Sequence, residues 1–554
     1  MAKCFVSIDP KPQQEKNHSN NRSATNAALC RPYAIIAAMR AYETWPPRAG
    51  LGALLVLSIF AWAPALYPGY WQGLEGFVPL FNAAAPGPVA AVATTPDLWR
   101  GTGSAAFLLA QPLITLGVSA AAALRFTFIF AFLAGGFGIY AWLQPRLGDA
   151  GAGLAGLAYA LAPLFLSTVY IRGSVADALV LALVPVALAG LTAFAARRSL
   201  AGAAVAVLAI FWLWRTQAGL AGLATLLLLV YVLAVERSWR GALVAGVAAA
   251  AGLVTLLPFW NQAAPAPVIF TDHFLDLYQL FAVGWAVAPS VPGWQDRLPL
   301  QLGFALAGFG VLALWGWAVA PRRTLPAELT HLLWFALAGA LTCILLATAL
   351  SAPLWQLTAA DRLLTYPWQM LLLALPLLAA LAGALPVVLP DLRTPATWTV
   401  LVALTVLASY AYLTTEFTTA TPPDRPLATF GRNQIALLDA QVTTQPDPAA
   451  AHLAVTWQPL APLDFDYSVF FQAVTGKGAD AQVVAQLDVQ PLAGARPATS
   501  WRPGEILTET YTLDLRNAPA DAPLRYYFGY YDWRDGRRLP VDGGLDDKLV
   551  LDGE

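Results

Sequence analysis

At 554 residues, with 58% hydrophobic and only 12% charged side chains and a mean hydropathy of +0.58, the chain carries more apolar surface than a soluble core can bury, which excludes an ordinary soluble domain. A formal net charge of −1 and scarce lysine leave no basic face for nucleic acid. The cysteines Cys4, Cys30 and Cys343 show no CxxC or Cys/His spacing, which excludes a disulfide framework and a structural zinc site.

In chain order, residues 1–48 are polar and rich in Asn, Gln and Ser, without the apolar stretch of a signal peptide, and predict a disordered cytoplasmic leader. Met39 stands close before the first apolar run and is a second candidate start. Apolar runs long enough to cross a bilayer as helices, roughly 17–25 residues, follow at 51–66, 126–143, 150–169, 176–195, 201–214 and 218–235. Further runs lie at 242–259, 300–320, 332–350, 368–389 and 397–412, which gives about 11 transmembrane helices within residues 49–413.

The stretch 104–117 is short and is broken by Gln111 and Pro112. If it does not cross, Arg146, Arg197 with Arg198, Arg237 with Arg240, Arg322 with Arg323, and Arg393 all fall on the cytoplasmic side, as the positive-inside rule requires. That topology puts the long loops 67–124 and 260–299 outside. Residues 414–426 read as a linker. From 427 to 554 short alternating segments such as "AHLAVTWQPL" and "ILTETYTLDL", separated by Pro, Gly and Asp turns, predict an extracytoplasmic all-β sandwich domain.

Several polar residues fall where a membrane excludes them. Glu75 follows an aromatic cluster in the first outer loop, with Asp97 and Arg100 near its far end; a carboxylate held there could deprotonate an acceptor hydroxyl, bind a cation or simply be solvated. Arg172 and Asp177 stand together between two spanning runs, where charge is expensive and faces a partner or a cavity. Arg172 could bind a lipid phosphate, pair with Asp177, or do both. Arg215, Arg297 and Arg362 also lie outside, and guanidinium geometry suits phosphate or carboxylate, although Arg297 reads more simply as an interfacial side chain. Asp272, His273 and Asp276 could form a metal or acid-base set, the two acids sharing a helical face, or His273 could be a hydrogen-bonded structural histidine. Trp457, Trp501 and Trp533 are either core residues of the sandwich or sugar-stacking surfaces.

The order "YPGYWQGLEG", "GIYAWLQPRLGDAGAGLAGLAYALAPLFLSTVYIRGSVADAL", "FLDLYQLFAVGWAVAPSVPGW", "QLGFALAG" and "TYPWQMLLL" resembles a family of large bacterial membrane proteins labelled as related to 6-pyruvoyl-tetrahydropterin synthase, which look like GT-C glycosyltransferases. The resemblance runs from about residue 67 to 389 and implies a GT-C-like polytopic helical membrane protein with the C-terminal β-sandwich as an added module. It implies Glu75 and Asp177 as catalytic carboxylates and Arg172 as a substrate-binding residue, to which the residue reading adds Arg362, Arg100 and His273 as substrate-binding candidates. It also implies a polyprenyl-phosphate-linked sugar donor and an envelope glycan, lipid or protein as acceptor. A divalent cation such as Mg or Mn is a possible cofactor. The implied location is the bacterial cytoplasmic membrane, among its lipids, with the N-terminus cytoplasmic and the C-terminal domain outside. The rival reading is a catalytically degenerate GT-C scaffold, or an envelope-organising or transporter-like protein displaying its β-domain. No internal repeat with matching broken helices supports a transporter, and no Gly-rich phosphate loop follows a strand.

This topology predicts that membrane-impermeant thiol labelling of single-cysteine variants in whole cells reaches residues 73–100 and 427–554 and spares positions beside Arg197 and Arg322. Reversed accessibility would overturn the orientation.

Overall fold

The computed structural model describes residues 48–67, 70–71, 73–84, 104–257, 269–293, 295–319, 325–362, 364–415, 417–418, 426–431, 434–446, 449–463, 465–476, 481–519, 523–541 and 547–552. The predicted leader up to residue 47, Asp97, Arg100, Arg322 and Arg323 lie outside them. Helices occupy all eleven apolar runs: α1 (Ala49–Leu66), α2 (Ala120–Ala160), α3 (Val175–Arg197), α4 (Leu200–Thr216) and α5 (Ala218–Ala234), followed by α6 (Trp239–Val254), α7 (Phe304–Val319), α8 (Ala327–Ala347), α9 (Pro367–Val388) and α10 (Pro395–Tyr412). Six stretches are long and apolar enough to cross a membrane: α1, the run Ala120–Arg172 that α2 begins, α3, α8, α9 and α10. The chain is therefore a multi-pass membrane protein with six candidate spanning stretches among the described residues, one of which, Ala120–Arg172, folds back at Gly148. The helices α4 to α7 are shorter, with 16 or 17 described residues each. The stretch 104–117 holds a single turn and a six-residue helix, Ala110–Thr115, which is too short to cross.

Small residues let these helices touch backbone to backbone, the usual means of packing where lipid competes for apolar side chains. Gly148, at φ 70° and ψ −179°, folds α2 back on itself. The two limbs then meet at Gly136 and Gly156, where a side-chain carbon on Gly156 would lie 2.7 Å from the Gly136 carbonyl oxygen. Basic and acidic groups gather at the end of the bundle that Gly148 marks. Arg146 pairs with Glu236 at 2.9 Å, Tyr231 bridges Glu236 and Thr192, and Arg237 meets His331 at 3.2 Å. Asp149 accepts the Leu51 amide at 3.2 Å and the Tyr140 hydroxyl at 2.7 Å, holding α1 to α2.

The opposite end carries the strands. β1 (Tyr70–Trp71) pairs antiparallel with β2 (Phe417–Thr418), joining the loop after α1 to the segment after α10. Two four-stranded antiparallel sheets follow. One runs β3 (Ala428–Phe430), β4 (Ile435–Pro446), β5 (Ala449–Pro459), β8 (Leu507–Asp514). The other runs β10 (Leu549–Asp552), β9 (Arg525–Tyr531), β6 (Ser468–Thr475), β7 (Gln482–Val489). They share one core, because alternation sends Leu453, Val455 and Trp457 of β5 and Tyr526, Phe528 and Tyr530 of β9 inward. Trp457 and Trp501 are core residues, while Trp533 is 55% exposed.

Replacing Gly156 by Val should force the limbs of α2 apart and cost about 1–3 kcal/mol, read as a lower thermal midpoint of the detergent-extracted protein. An unchanged midpoint would mean that the limbs do not depend on this contact.

Candidate functional site

Residues Thr168–Arg172 form a π-helical turn that ends at Gly173, whose φ of 71° a side chain would strain. Arg172 is 9% exposed and Asp177, in the first turn of α3, is 1% exposed; the two form an ion pair. A buried charge of this kind costs several kcal/mol unless its remaining groups are satisfied, and α9 supplies the partners. The Gln369 amide nitrogen donates to Asp177 at 3.2 Å, while the Gln369 oxygen accepts the Thr365 and Tyr366 amides at 3.2 Å each, which orients the side chain. The Arg172 guanidinium lies 4.5 Å from the centre of the Trp368 ring, and Tyr366 stacks on Trp368 at 4.8 Å. The buried Trp368 indole N–H meets no acceptor among the described residues.

Glu75 is brought to this cluster by backbone bonds on both flanks. Its amide donates to the Arg172 carbonyl at 2.9 Å and the Leu74 amide to the Ile171 carbonyl at 2.8 Å. Two residues on, the Phe77 amide donates to the Leu460 carbonyl beyond β5 at 2.5 Å. Gly76, at φ 52°, passes so close that a side-chain carbon would lie 1.9 Å from the Leu460 oxygen, so only glycine fits. The half-buried Glu75 carboxylate accepts from Ser174. Burial pushes its pKa up to about 7, while the Arg172 charge and the Ser174 hydrogen bond pull it back and the Asp177 charge adds to the rise.

His273 lies behind the aromatic pair, with its ring edge-on to Tyr366 at 5.1 Å. Ser290 donates to Asp296 at 2.7 Å, which leaves the His273 Nδ1, 2.9 Å from the Ser290 oxygen, as the donor to it. Burial lowers the His273 pKa below its ordinary value, opposed by the carboxylates of Asp296 and Asp272. Burial raises that of Asp296, opposed by Ser290, the Leu298 amide, His273 and Gln279.

Glu75, Arg172 and Asp177 thus meet, and His273 joins them through Tyr366 and Trp368. Arg100 lies outside the described residues, as does the side chain of Arg362, whose backbone ends the turn Ala360–Arg362. Arg215 donates instead to the Thr255 carbonyl at 3.2 Å, tying α4 to the end of α6. The set Asp272, His273 and Asp276 does not form. Phe270–His273 is a single 3-10 turn and Asp276 caps the next one, so no helical face unites the two acids. Among the described residues no three His, Cys, Asp or Glu side chains are placed to hold a metal ion. Ser174, Tyr366, Trp368 and Gln369 lie within the segments "YIRGSVAD" and "TYPWQMLLL" but were not candidate site residues in the sequence, where none of them carries a charge.

No protein-family model matches the chain, and no curated protein matches it. Among solved structures, the arabinofuranosyltransferase AftD from Mycobacteria matches with a TM-score of 0.42 and 20% identity, over 69% of this chain and 29% of that one. ArnT from Cupriavidus metallidurans, in the apo state, matches with a TM-score of 0.28 and 14% identity, over 62% of this chain and 79% of that one. The match therefore spans 29% of the length of AftD.

The raised Glu75 pKa makes a signed prediction. An acid whose value rises from 4.5 unfolded to about 7 folded binds more protons when folded, so its contribution to stability falls as pH rises through that window. The thermal midpoint should therefore drop between about pH 5 and about pH 8, and Glu75→Gln should flatten that part of the profile. An identical slope in the variant would show that Glu75 is not the titrating group.

Proposed function

We propose that the chain is a GT-C-type membrane glycosyltransferase that moves a sugar from a polyprenyl-phosphate donor to a cell-envelope acceptor at the outer face of a bacterial membrane. The supporting observation is the meeting of a carboxylate that titrates near neutrality with a buried guanidinium, Glu75 and Arg172, at the end of the bundle that carries the strands. The resemblance of "YPGYWQGLEG" and "YIRGSVAD" to GT-C sequences supplies the reaction class.

In this reading Glu75 is the general base, for which a pKa near the working pH is the most effective. It takes the proton of the acceptor hydroxyl as that oxygen attacks the anomeric carbon. The bond from that carbon to the phosphate oxygen breaks with inversion, and polyprenyl phosphate leaves. Arg172 stabilises the charge that develops on the phosphate, since a guanidinium has five donors and a carboxylate pair occupies only part of them. The Trp368 N–H offers a further donor beside it. Asp177 is a positioning residue, holding Arg172 while Gln369 holds Asp177.

Among the described residues, Arg172 and Gln369 take the Asp177 oxygens, and Ser174 and the Arg172 charge engage Glu75, which does not fit a divalent cation there; in this reading the positive charge at the site is the guanidinium.

A scaffold reading is favoured by one observation, the completeness of the Arg172–Asp177 pair, which would serve equally as a structural tie. Sugar transfer separates the two. With a polyprenyl-phosphate sugar and a membrane fraction as acceptor source, Glu75→Gln should slow transfer by about 100-fold or more with expression unchanged and the protein still folded in detergent at the assay pH. Transfer that survives this substitution would assign the chain to the scaffold class.

A further inference from the structure

The second long loop, between α6 and α7, encloses a cleft of about 820 Å³ that the site above does not use. Its walls are the limbs 278–286 and 295–301, and buried amides hold them apart at a fixed spacing. Gln279, 5% exposed, donates to the Asp296 carbonyl at 3.3 Å and accepts the Asp276 amide at 2.8 Å. Gln301, 2% exposed, donates to the Gly284 carbonyl at 3.0 Å. The Leu302 amide closes the base on the Leu280 carbonyl at 3.0 Å, and Trp285 ties the near limb to Thr414 at 2.8 Å. The cleft is preformed, then, by polar groups that a merely apolar loop would not bury.

Its lining is amide-rich and nearly charge-balanced. Tyr278, Gln295 and Arg297 face it from the rims and Asp296 from the wall. Gln295 and Arg297 have no hydrogen-bond or ion-pair partner among the described residues. A phosphate would meet the Asp296 carboxylate beside the one guanidinium, which disfavours an anion. Interleaved donors and acceptors with a tyrosine ring suit a neutral polyhydroxyl ligand, and the volume lies within the usual range of ligand sites, about 300–1,000 Å³.

The cleft also adjoins the first site. Asp296 reaches His273 through Ser290, His273 abuts Tyr366, and Tyr366 stacks on the Trp368 ring that carries Arg172. We infer that this cleft binds the saccharide chain of a neutral glycan acceptor, with Gln295 and Arg297 as its sugar-reading residues and the His273–Tyr366 wall dividing it from the donor phosphate. The inference rests on the glycosyltransferase reading for the word acceptor, but the binding itself can be measured without transfer.

The experiment uses the full chain in lipid nanodiscs and saturation-transfer NMR with methyl glycosides of gluco-, manno-, galacto- and arabino-disaccharides as probes. At least one should bind. Ala286→Trp, which fills the cleft from an exposed position, should abolish that signal, and Gln295→Leu combined with Arg297→Met should weaken it by about fivefold or more, as expected for losing one or two hydrogen bonds. Glu75→Gln should leave it in place. Binding that all cleft variants retain, or no binding by any probe, would overturn the assignment, as would competition by phosphatidylglycerol headgroup analogues in place of sugars. Loss of transfer in Glu75→Gln without any saccharide binding would sink the cleft and spare the glycosyltransferase. Saccharide binding in a protein whose transfer ignores Glu75 would do the reverse.

Discussion

A guanidinium that cannot be deprotonated, buried at the end of a membrane bundle, is the constraint around which the rest is arranged. Arg172 has almost no access to water, so its charge must be met by protein. Asp177 meets it directly, Trp368 meets it with a ring face, and Gln369 secures Asp177 from a helix nearly two hundred residues further on. Asp177 is a near neighbour in sequence, whereas Trp368 and Gln369 come from the head of α9, so the contacts that satisfy the ion pair fasten the head of α3 to the head of α9. The π turn before Arg172 and the left-handed Gly173 after it are the local cost of presenting the side chain there.

The same residue organises the loop that carries Glu75. Its carbonyl receives the Glu75 amide, while the amide two residues on reaches the Leu460 carbonyl. Glu75 thus sits on a short span pinned at one end to the helices and at the other to the strands. Gly76 makes that span possible, because the Leu460 oxygen occupies the space any side chain would need. The strands are therefore part of what positions the carboxylate. β1 with β2 and the Trp285–Thr414 bond add two more ties at the same end.

Desolvation and charge then set the chemistry. Glu75 titrates near neutrality because burial outweighs the attraction of Arg172 and Ser174. Burial likewise holds the His273 pKa below its ordinary value, outweighing Asp296 and Asp272. Tyr366 and Trp368 stand between His273 and the buried Arg172.

The sequence alone determined the elements whose signal is local. Eleven apolar runs became helices because each is continuous in sequence, and alternation from residue 427 onward became strands because a period of two buries one face. Glu75, Arg172 and Asp177 were legible as candidates because a charge beside an apolar run stands out. What tertiary structure decided was everything that depends on contacts between distant segments. Helix length at either end follows packing and capping, and four helices have 16 or 17 described residues. Asp272 and Asp276 lost their common face because the backbone between them is extended. Gln369 and Trp368 looked like ordinary members of an apolar stretch, and only the approach of α9 to α3 turned them into partners of the buried pair. Spacing within a segment is written in the chain, whereas the burial of one charge by residues two hundred positions away exists only once the chain has folded.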